Sequence, residues 1–163
     1  MFLEPILRRP VLVVFSATPV ADELMRWAPG LGFDPVLVEP RADRFTTEHR
    51  AAGRRASGID ELSLDKETAA VHTDHEAPGL AESVATLLRS PARFIGVMGS
   101  ARHVGKHLER LREMGFGDRD LGRIRTPVGI DLGARTAEEI ALSILAGLVA
   151  DRRGRSGGWL DRR

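Results

Sequence analysis

The 163-residue chain contains no cysteine and has no excess of charge of one sign. The absence of cysteine excludes disulfide bonds, thiolate metal sites, iron–sulfur ligation and a cysteine nucleophile. Charge is balanced, because 24 lysine and arginine residues stand against 23 aspartate and glutamate residues. We therefore expect neither nucleic acid nor a membrane surface as a partner.

Long hydrophobic runs are also missing. The N-terminal stretch MFLEPILRRPVLVVF is interrupted by Glu4, Arg8, Arg9 and two prolines before a signal-peptide core or a membrane-spanning segment can form. We read no export signal and expect a cytoplasmic protein. The composition, with 42% hydrophobic and 29% charged residues, is that of an ordinary soluble globular protein.

Short apolar runs alternate with helical patterns along the chain. This alternation predicts an α/β fold, a three-layer Rossmann-like parallel sheet with helices on both faces. We expect a single domain over residues 1–154 and a mobile tail over residues 155–163. The predicted strands are Val11–Phe15, Pro35–Val38, Ala69–His72 and Phe94–Met98.

The helices are predicted from apolar residues spaced three and four apart. This spacing indicates helices over residues 19–28, 80–88 and 104–111. Thr136 and Glu139 form a T-x-x-E capping box ahead of the last helix, IALSILAGLVA. The polar, arginine-rich residues 42–66 predict a short helix and a connection with at most a brief edge strand.

The turn in VVFSATPVADELMR occupies the place of a dinucleotide-binding G-x-G-x-x-G. The three glycine positions hold Ser16, Thr18 and Ala21. Ala21 still permits close packing of helix on strand, whereas the branched Thr18 stands where phosphate oxygens approach, and Pro19 lacks an N–H donor. Ser16 and Thr18 could supply hydroxyl groups to a ligand or cap the helix. We predict a degenerate site at which NAD(P) binding is doubtful.

The residue after the second predicted strand extends the comparison with a dinucleotide site. Glu39 follows the second strand, where an acidic residue holds a ribose in dinucleotide sites, although Arg41 could simply pair with it.

In HTDHE, the side chains of His72, Asp74 and His75 could bind a metal or serve as acid and base. The alternative is a loop in which Thr73 and Asp74 satisfy backbone donors, and we favour this alternative over a metal site.

Two glycine-containing loops are the preferred ligand-binding segments. MGSARH offers Gly99, Ser100 and Arg102 at a helix start that favours anions, or alternatively a helix cap and a surface arginine. GIDLGART needs unusual backbone angles at Gly129 or Gly133. Its Asp131 and Arg135 are candidate ligand contacts or an ion pair that holds the turn. His103 and His107 lie four residues apart but lack a third metal ligand.

The run FIGVMGSARHVGKHLERLREMGFGDRDLGRIRTPVGIDLGARTAEEIALSILAGLVADRRG, residues 94–154, resembles the C-terminal Rossmann-type domain of the XdhC/CoxI family. The resemblance implies an accessory protein for molybdenum hydroxylases of the xanthine dehydrogenase and carbon monoxide dehydrogenase type. It implies that such a protein binds the molybdenum cofactor (molybdopterin), assists its sulfuration and delivers it to the apo-enzyme. The carried-over site residues are Gly99, Ser100, Arg102, Asp131, Gly133, Arg135 and Thr136, with Asp74 and His75 in the looser match.

The sequence departs from the family pattern in several places. SATPVA replaces G-A-G-H-V-G, HTDH replaces T-H-D-H, and Ala101 interrupts G-S-R-R so that Arg102 is retained. In the other alignment, Ala101 takes the place of the first arginine and His103 that of the second. Family members commonly carry an N-terminal domain with a cysteine, which this sequence lacks. We therefore expect a separate N-terminal domain protein as a partner besides the apo molybdenum hydroxylase.

The resemblance favours a non-enzymatic maturation factor over an enzyme. A half-length family member would expose an apolar surface, so we also expect a homo-oligomer. Two alternatives remain: an NAD(P)-binding oxidoreductase, and a partner-binding Rossmann scaffold that has lost its nucleotide site.

Overall fold

The structure, a computed structural model, describes residues 8–45 and 53–160. Its centre is a parallel sheet whose described strands lie in the order β3-β2-β1-β4-β5-β6. The strands are β1 Val11–Phe15, β2 Asp34–Val38, β3 Arg54–Ala56, β4 Ala69–His72, β5 Phe94–Val97 and β6 Ile124–Arg125.

Helices connect the strands. Two of them begin at the predicted residues Pro19 and Leu80, whereas the helix predicted over residues 104–111 spans Ala101–Glu113. The Thr18 hydroxyl accepts a hydrogen bond from the N–H of Ala21 and so caps the first helix, while Thr136 and Glu139 form the predicted capping box of the last helix. The helices are α1 Pro19–Trp27, α2 Leu80–Arg89, α3 Ala101–Glu113, α4 Asp118–Leu121 and α5 Ala137–Arg152, with short 3-10 turns at Ala28–Leu31, Ala42–Arg44 and Ile59–Glu61.

A hydrophobic core lies on each face of the sheet. Val13, Ala70 and Ile95 face α2 and α3, whereas the alternate strand residues Leu12 and Val71 face α1 and α5. Because both faces are covered, the strands are apolar at nearly every position instead of alternating with polar residues. The predicted three-layer Rossmann-like fold is confirmed.

Two secondary-structure elements were not predicted from the sequence. β6 has two residues and α4 has four, and both are too short to produce a hydrophobic period. The brief edge strand expected within residues 42–66 is β3, although residues 46–52 of that segment lie outside the described part.

Beyond α5, residues 155–160 form no regular helix or strand, and residues 161–163 lie outside the described part, so the mobile tail stays a prediction. In residues 8–45 and 53–160, no helix is long and apolar enough to cross a bilayer.

Candidate functional site

The carboxyl ends of the strands form the edge at which open α/β sheets bind ligands. β1 pairs with β2 on one side and with β4 on the other. The connections that leave β1 and β4 therefore turn in opposite directions and leave a crevice between them. The turns after β1, β4 and β5 all meet this edge.

The turn after β1 keeps the backbone shape of a dinucleotide site without its glycine. Ser16 has φ +73°, in the left-handed region that glycine adopts most easily, and its N–H donates to the carbonyl of Val38 at 2.9 Å. The serine is buried, with 4% of its surface exposed. The fold therefore retains the tight turn, but at the expense of an L-residue in a strained conformation.

A chain of hydroxyl groups closes this turn. Thr18 Oγ1 donates to Thr73 Oγ1 at 2.8 Å while it accepts from the N–H of Ala21 at 3.1 Å. Thr73 Oγ1 in turn lies 2.9 Å from the carbonyl oxygen of Phe15 and 3.1 Å from that of Ser16. Of the two roles open to the Thr18 hydroxyl, capping is the one observed, so a phosphate would have to displace these contacts.

Glu39 stands at the ribose position of a dinucleotide site. Its carboxylate already has hydrogen-bond partners within the chain. Its carboxylate accepts hydrogen bonds from the N–H of Ala17 (3.0 Å) and from the N–H, Nε and Nη2 of Arg41 (3.0, 2.7 and 2.9 Å). Burial by itself raises the pKa of Glu39, but these hydrogen bonds and the charge of Arg41 outweigh it and lower the pKa below 4.5. The pairing with Arg41 considered as an alternative is thus observed.

His72 is a buried, neutral histidine at the end of β4. Its ring stacks on Phe15 with centroids 4.0 Å apart. Burial, with a smaller contribution from the charge of His107, lowers the pKa of His72 to about 3. The ring therefore carries no charge at neutral pH.

Asp74 lies in the loop that follows β4 and is surrounded by arginine side chains. Asp74 Oδ2 lies 3.8 Å from Arg41 Nη2 and 4.0 Å from Arg44 Nη1, and Oδ1 accepts from the N–H of Glu76. Across the described residues, no cluster of three or more histidine, aspartate or glutamate side chains could hold a metal ion. Asp74 thus satisfies a backbone donor, as the loop interpretation of HTDHE expects, whereas the Thr73 hydroxyl contacts carbonyl oxygens instead.

A group of histidines surrounds Gly99 at the start of α3. Gly99 has φ +113°, and a Cβ placed there would lie 3.2 Å from the Cβ and Cγ of His75. The rings of His75 and His103 are 5.0 Å apart, and His103 Nδ1 is 3.0 Å from Ser100 Oγ. His107 Nε2 is 2.8 Å from the carbonyl oxygen of His75. The structure thus brings three predicted site residues, His75, Gly99 and Ser100, into one cluster.

The DLGART loop is an exposed turn before α5. Gly129 and Gly133 both have positive φ, +112° and +64°, as the sequence predicts. Asp131 Oδ1 accepts from the N–H of Gly133 at 3.2 Å, but no ion pair joins Asp131 to Arg135 in the described residues. The side chain of Asp131 therefore holds the turn through the backbone and leaves the Arg135 guanidinium exposed.

No hydrogen bond or ion pair within residues 8–45 and 53–160 joins Asp131, Gly133 or Arg135 to the cluster of His75, Gly99 and Ser100. Arg102 is exposed in the first turn of α3. The roles of all these residues as cofactor contacts stay predictions.

A cavity of about 280 Å³ lies between α2 and the carboxyl ends of β1, β2 and β4, and the sequence did not predict it. Phe15, Val38 and His72 contribute from the strands, and the loops over residues 57–60 and 77–80 complete the wall together with α2. Neither loop carries a recognisable motif. Their only signals are turn residues, the glycines at 58 and 79 and the proline at 78, which do not indicate a ligand.

The strand order, the switch point between β1 and β4, and the glycine-free turn define a Rossmann-type α/β domain whose dinucleotide turn is closed by its own side chains. The family model described as the XdhC Rossmann domain matches residues 12–148. The chain belongs to this family.

Several known proteins are similar to this chain. The uncharacterized protein YqeB of Escherichia coli (strain K12) is 30% identical over 93% of the chain. A Bacillus subtilis (strain 168) protein named as a probable xanthine dehydrogenase subunit is 25% identical over 94%. The molybdenum cofactor insertion chaperone PaoD of E. coli (strain K12) is 30% identical over 55%.

The solved structure of a xanthine dehydrogenase from Bacillus halodurans has the same fold. It superimposes on 90% of the chain with a TM-score of 0.76 at 22% identity, and the match covers 45% of that protein. The matches likewise cover 29%, 46% and 28% of the three curated relatives, so the chain spans less than half of their length.

Proposed function

We propose that this chain is an accessory domain for molybdenum hydroxylases of the xanthine dehydrogenase or carbon monoxide dehydrogenase type. In this proposal it binds the molybdenum cofactor and helps deliver it to the apo-enzyme. The observation that carries the proposal is membership of the XdhC Rossmann family over residues 12–148. The similarity to a protein named as a molybdenum cofactor insertion chaperone supports it.

The closed first turn supports this function over that of an NAD(P)-dependent oxidoreductase. A dinucleotide needs backbone donors at the first turn and an acidic side chain free to accept from the ribose. Here Thr18 occupies the N–H of Ala21, Pro19 has no N–H, and Glu39 is saturated by Arg41 and Ala17. A domain of this kind suits the binding and release of a cofactor whose redox chemistry takes place in another protein.

The residues present suit an anionic cofactor with a phosphate group. Arg102 and Arg135 lie next to the amino ends of α3 and α5, and in the described residues neither guanidinium has an ion-pair partner. In this proposal the two arginines attract the phosphate, and Ser100, Gly99 and Gly133 allow backbone N–H groups to approach it. Asp74, His75 and Asp131 complete the set of proposed contacts. The bound cofactor supplies molybdenum and its pterin dithiolene, which serve in the hydroxylase.

The partners follow from the same proposal. They are an apo molybdenum hydroxylase, a separate protein with the N-terminal XdhC/CoxI domain, and a second copy of the chain. We place the protein in the cytoplasm and give it the role of a maturation factor without an enzymatic step of its own.

Cofactor transfer to an apo-hydroxylase tests the function. Cofactor released from a molybdenum hydroxylase is added to the apo-enzyme with and without this chain, and the recovered activity is measured. We expect the wild-type chain to raise the recovery, and R102A/R135A to lose about thirtyfold or more in cofactor affinity, since each charged contact contributes on the order of 1 kcal/mol or more.

R119A, which removes an exposed arginine from α4, is the matched control. If the wild-type chain neither binds the cofactor nor raises the recovery, alone or with an N-terminal domain protein, the proposal is wrong. If R102A/R135A transfers the cofactor as well as the wild-type chain, these arginines are not contacts and a scaffold role is favoured.

A further inference from the structure

The side of α5 that points away from the sheet is largely apolar. The side that packs on the sheet buries Ala141, Ile144, Leu145 and Leu148. The opposite side presents Glu139, Leu142, Ala146, Ala150 and Arg153, which we call the outer face of α5. A helix that is apolar on both sides is usually covered on both sides. Leu142 is nevertheless 51% exposed, so the outer face of α5 has the composition of a contact surface.

Other exposed apolar side chains lie beside this face. Among the described residues, five large hydrophobic side chains are exposed, and four of them belong to α5, the loop before it and the segment after it: Leu132, Leu142, Trp159 and Leu160. Residues 156–160 run alongside α5, because a Cβ placed on Gly157 would lie 3.7 Å from the Cβ of Ala150. Together with α5 they border an open groove of about 510 Å³. A contiguous exposed apolar patch of this kind is typical of an interaction site.

The outer face of α5 is complementary to itself. Ala146 is its midpoint, with Leu142 and Ala150 four residues away on either side and Glu139 and Arg153 seven residues away on either side. When two copies of α5 pack antiparallel about a two-fold axis at Ala146, each Leu142 meets Ala150 of the second copy. Each Glu139 meets Arg153 of the second copy. The small side chain at the axis lets the two helices approach to about 8 Å.

The two charged residues at the ends of this face are available for such a contact. Glu139 uses Oε2 to accept from the N–H of Arg135 at 2.7 Å and from the N–H of Thr136 at 3.2 Å. In the part of the chain that the structure describes, Glu139 Oε1 has no partner, and the Arg153 guanidinium has neither a hydrogen bond nor an ion pair. Opposite charges at the rim of an interface fix the orientation in which two surfaces meet.

We propose that two copies of this chain form a dimer through the outer face of α5, packed antiparallel about a two-fold axis at Ala146. A stable interface covers about 800 Å² on each partner, and one face of a single helix supplies only part of that area. Leu132, Trp159 and Leu160 supply the rest at the two sides of the helix pair. That the occupant is a second copy rests in part on the proposed function, and the position of the interface rests on the self-complementary face.

Cross-linking through introduced cysteines tests this arrangement, because the chain has no cysteine of its own. A disulfide forms only between Cα atoms within about 7 Å of each other, a condition that A146C meets at the two-fold axis. T86C, on an exposed position of α2 across the sheet, is the matched control. We expect A146C to form covalent dimers under mild oxidation at a rate at least about tenfold above that of T86C.

A mixture of two variants tests the antiparallel orientation. L142C and A150C are each oxidised alone and then together in equal amounts. In the antiparallel dimer, residue 142 lies opposite residue 150, so the mixture should cross-link at least about threefold faster than either variant alone. Faster cross-linking of each variant alone than of the mixture would show a parallel pair and overturn the proposal.

The oligomeric state of the full chain without cofactor is measured by sedimentation equilibrium. We expect a dimer with a dissociation constant below about 10 μM in the wild-type chain and one at least about tenfold higher in L142E, which places a carboxylate in the apolar contact twice. T86E introduces the same group on α2 and should leave the dissociation constant unchanged. A melting curve of each variant shows that it is folded.

A wild-type chain that is monomeric up to about 100 μM overturns the proposal. An unaltered dissociation constant in L142E overturns it too, as does cross-linking of A146C no faster than that of T86C. A monomeric chain that binds an N-terminal domain protein and loses this binding in L142E assigns the face to that protein instead. These results are separable from the proposed function: a monomeric wild-type chain that transfers the cofactor removes the dimer and leaves the function, whereas a dimer without transfer does the reverse.

Discussion

At the scale of single residues, the turn after β1 shows how a nucleotide-binding shape survives without its glycine. Ser16 keeps the positive φ of the first glycine, and Thr18 uses its hydroxyl to cap α1 and to reach Thr73. Glu39 is held by Arg41. Each side chain that could meet a dinucleotide therefore already has a partner in the protein or lies in a constrained conformation.

The strain at Ser16 predicts that glycine is the more stable residue there. An L-residue in the left-handed region costs about 1–2 kcal/mol, and glycine would remove this strain. Glycine also has more conformational freedom in the unfolded chain, which offsets roughly half of the stabilisation. We expect S16G to raise the free energy of unfolding, measured in urea, by about 0.5–1 kcal/mol. S16A keeps the Cβ and separates strain from loss of the hydroxyl. A lower stability of S16G than of S16A would contradict this account.

The neutral His72 predicts a pH dependence of stability. The pKa of His72 is about 3 in the folded protein, and its ordinary value is 6.5. Between pH 3 and pH 6.5, His72 is therefore protonated in the unfolded chain but not in the folded protein. Stability therefore falls as the pH falls below 6.5. We expect the difference in free energy of unfolding between wild type and H72Q to change by about 1.4 kcal/mol between pH 7.5 and 5.5.

Urea unfolding at the two pH values measures this difference. H103Q, which replaces an exposed histidine, is the matched control for the loss of one imidazole. An H72Q variant that follows the wild type at both pH values would show that His72 takes up a proton in the folded protein.

At the scale of secondary-structure elements, local signals placed the helix starts well. Thr18 before Pro19, and Thr136 three residues before Glu139, are the observed caps of α1 and α5. Capping depends on neighbours in sequence, so it can be predicted from the sequence. β6 could not be predicted in this way, because its two residues are a strand only through their pairing with β5.

The capping box of α5 gives a prediction at this scale. The Thr136 hydroxyl accepts from the N–H of Glu139, and the Glu139 carboxylate accepts from the N–H of Thr136, both at 3.2 Å. We expect T136A to lower the thermal-unfolding stability by about 1 kcal/mol and T136S to retain most of it. T86A, within α2, should change the stability by less than about 0.5 kcal/mol. Equal losses in T136S and T136A would contradict a capping role.

At the scale of the whole molecule, one sheet separates two hydrophobic cores. Ile95 belongs to the core under α2 and α3, and Ile144 belongs to the core under α1 and α5; each has at most 1% of its surface exposed. The strands contribute side chains to both cores, so neither core can form without the sheet.

Small core deletions on the two faces test this organisation. I95V and I144V should each cost about 0.5–1.5 kcal/mol, and the double variant should cost their sum within about 0.5 kcal/mol. A single transition in urea, followed by both fluorescence and circular dichroism, is expected for all three. Two separate transitions in the double variant would show that the faces unfold independently.

The sequence by itself determined the α/β class, the main strands, the helix caps and the degenerate turn, because these depend on hydrophobic periodicity and on residues close together in the chain. The tertiary structure decided which side chains meet. It joined Thr18 to Thr73, placed His75 over Gly99, and left Asp131 without Arg135 as an ion-pair partner in the described residues. It also formed the cavity at His72 from loops without a motif. Contacts between distant segments arise from strand order and register, which no local pattern encodes.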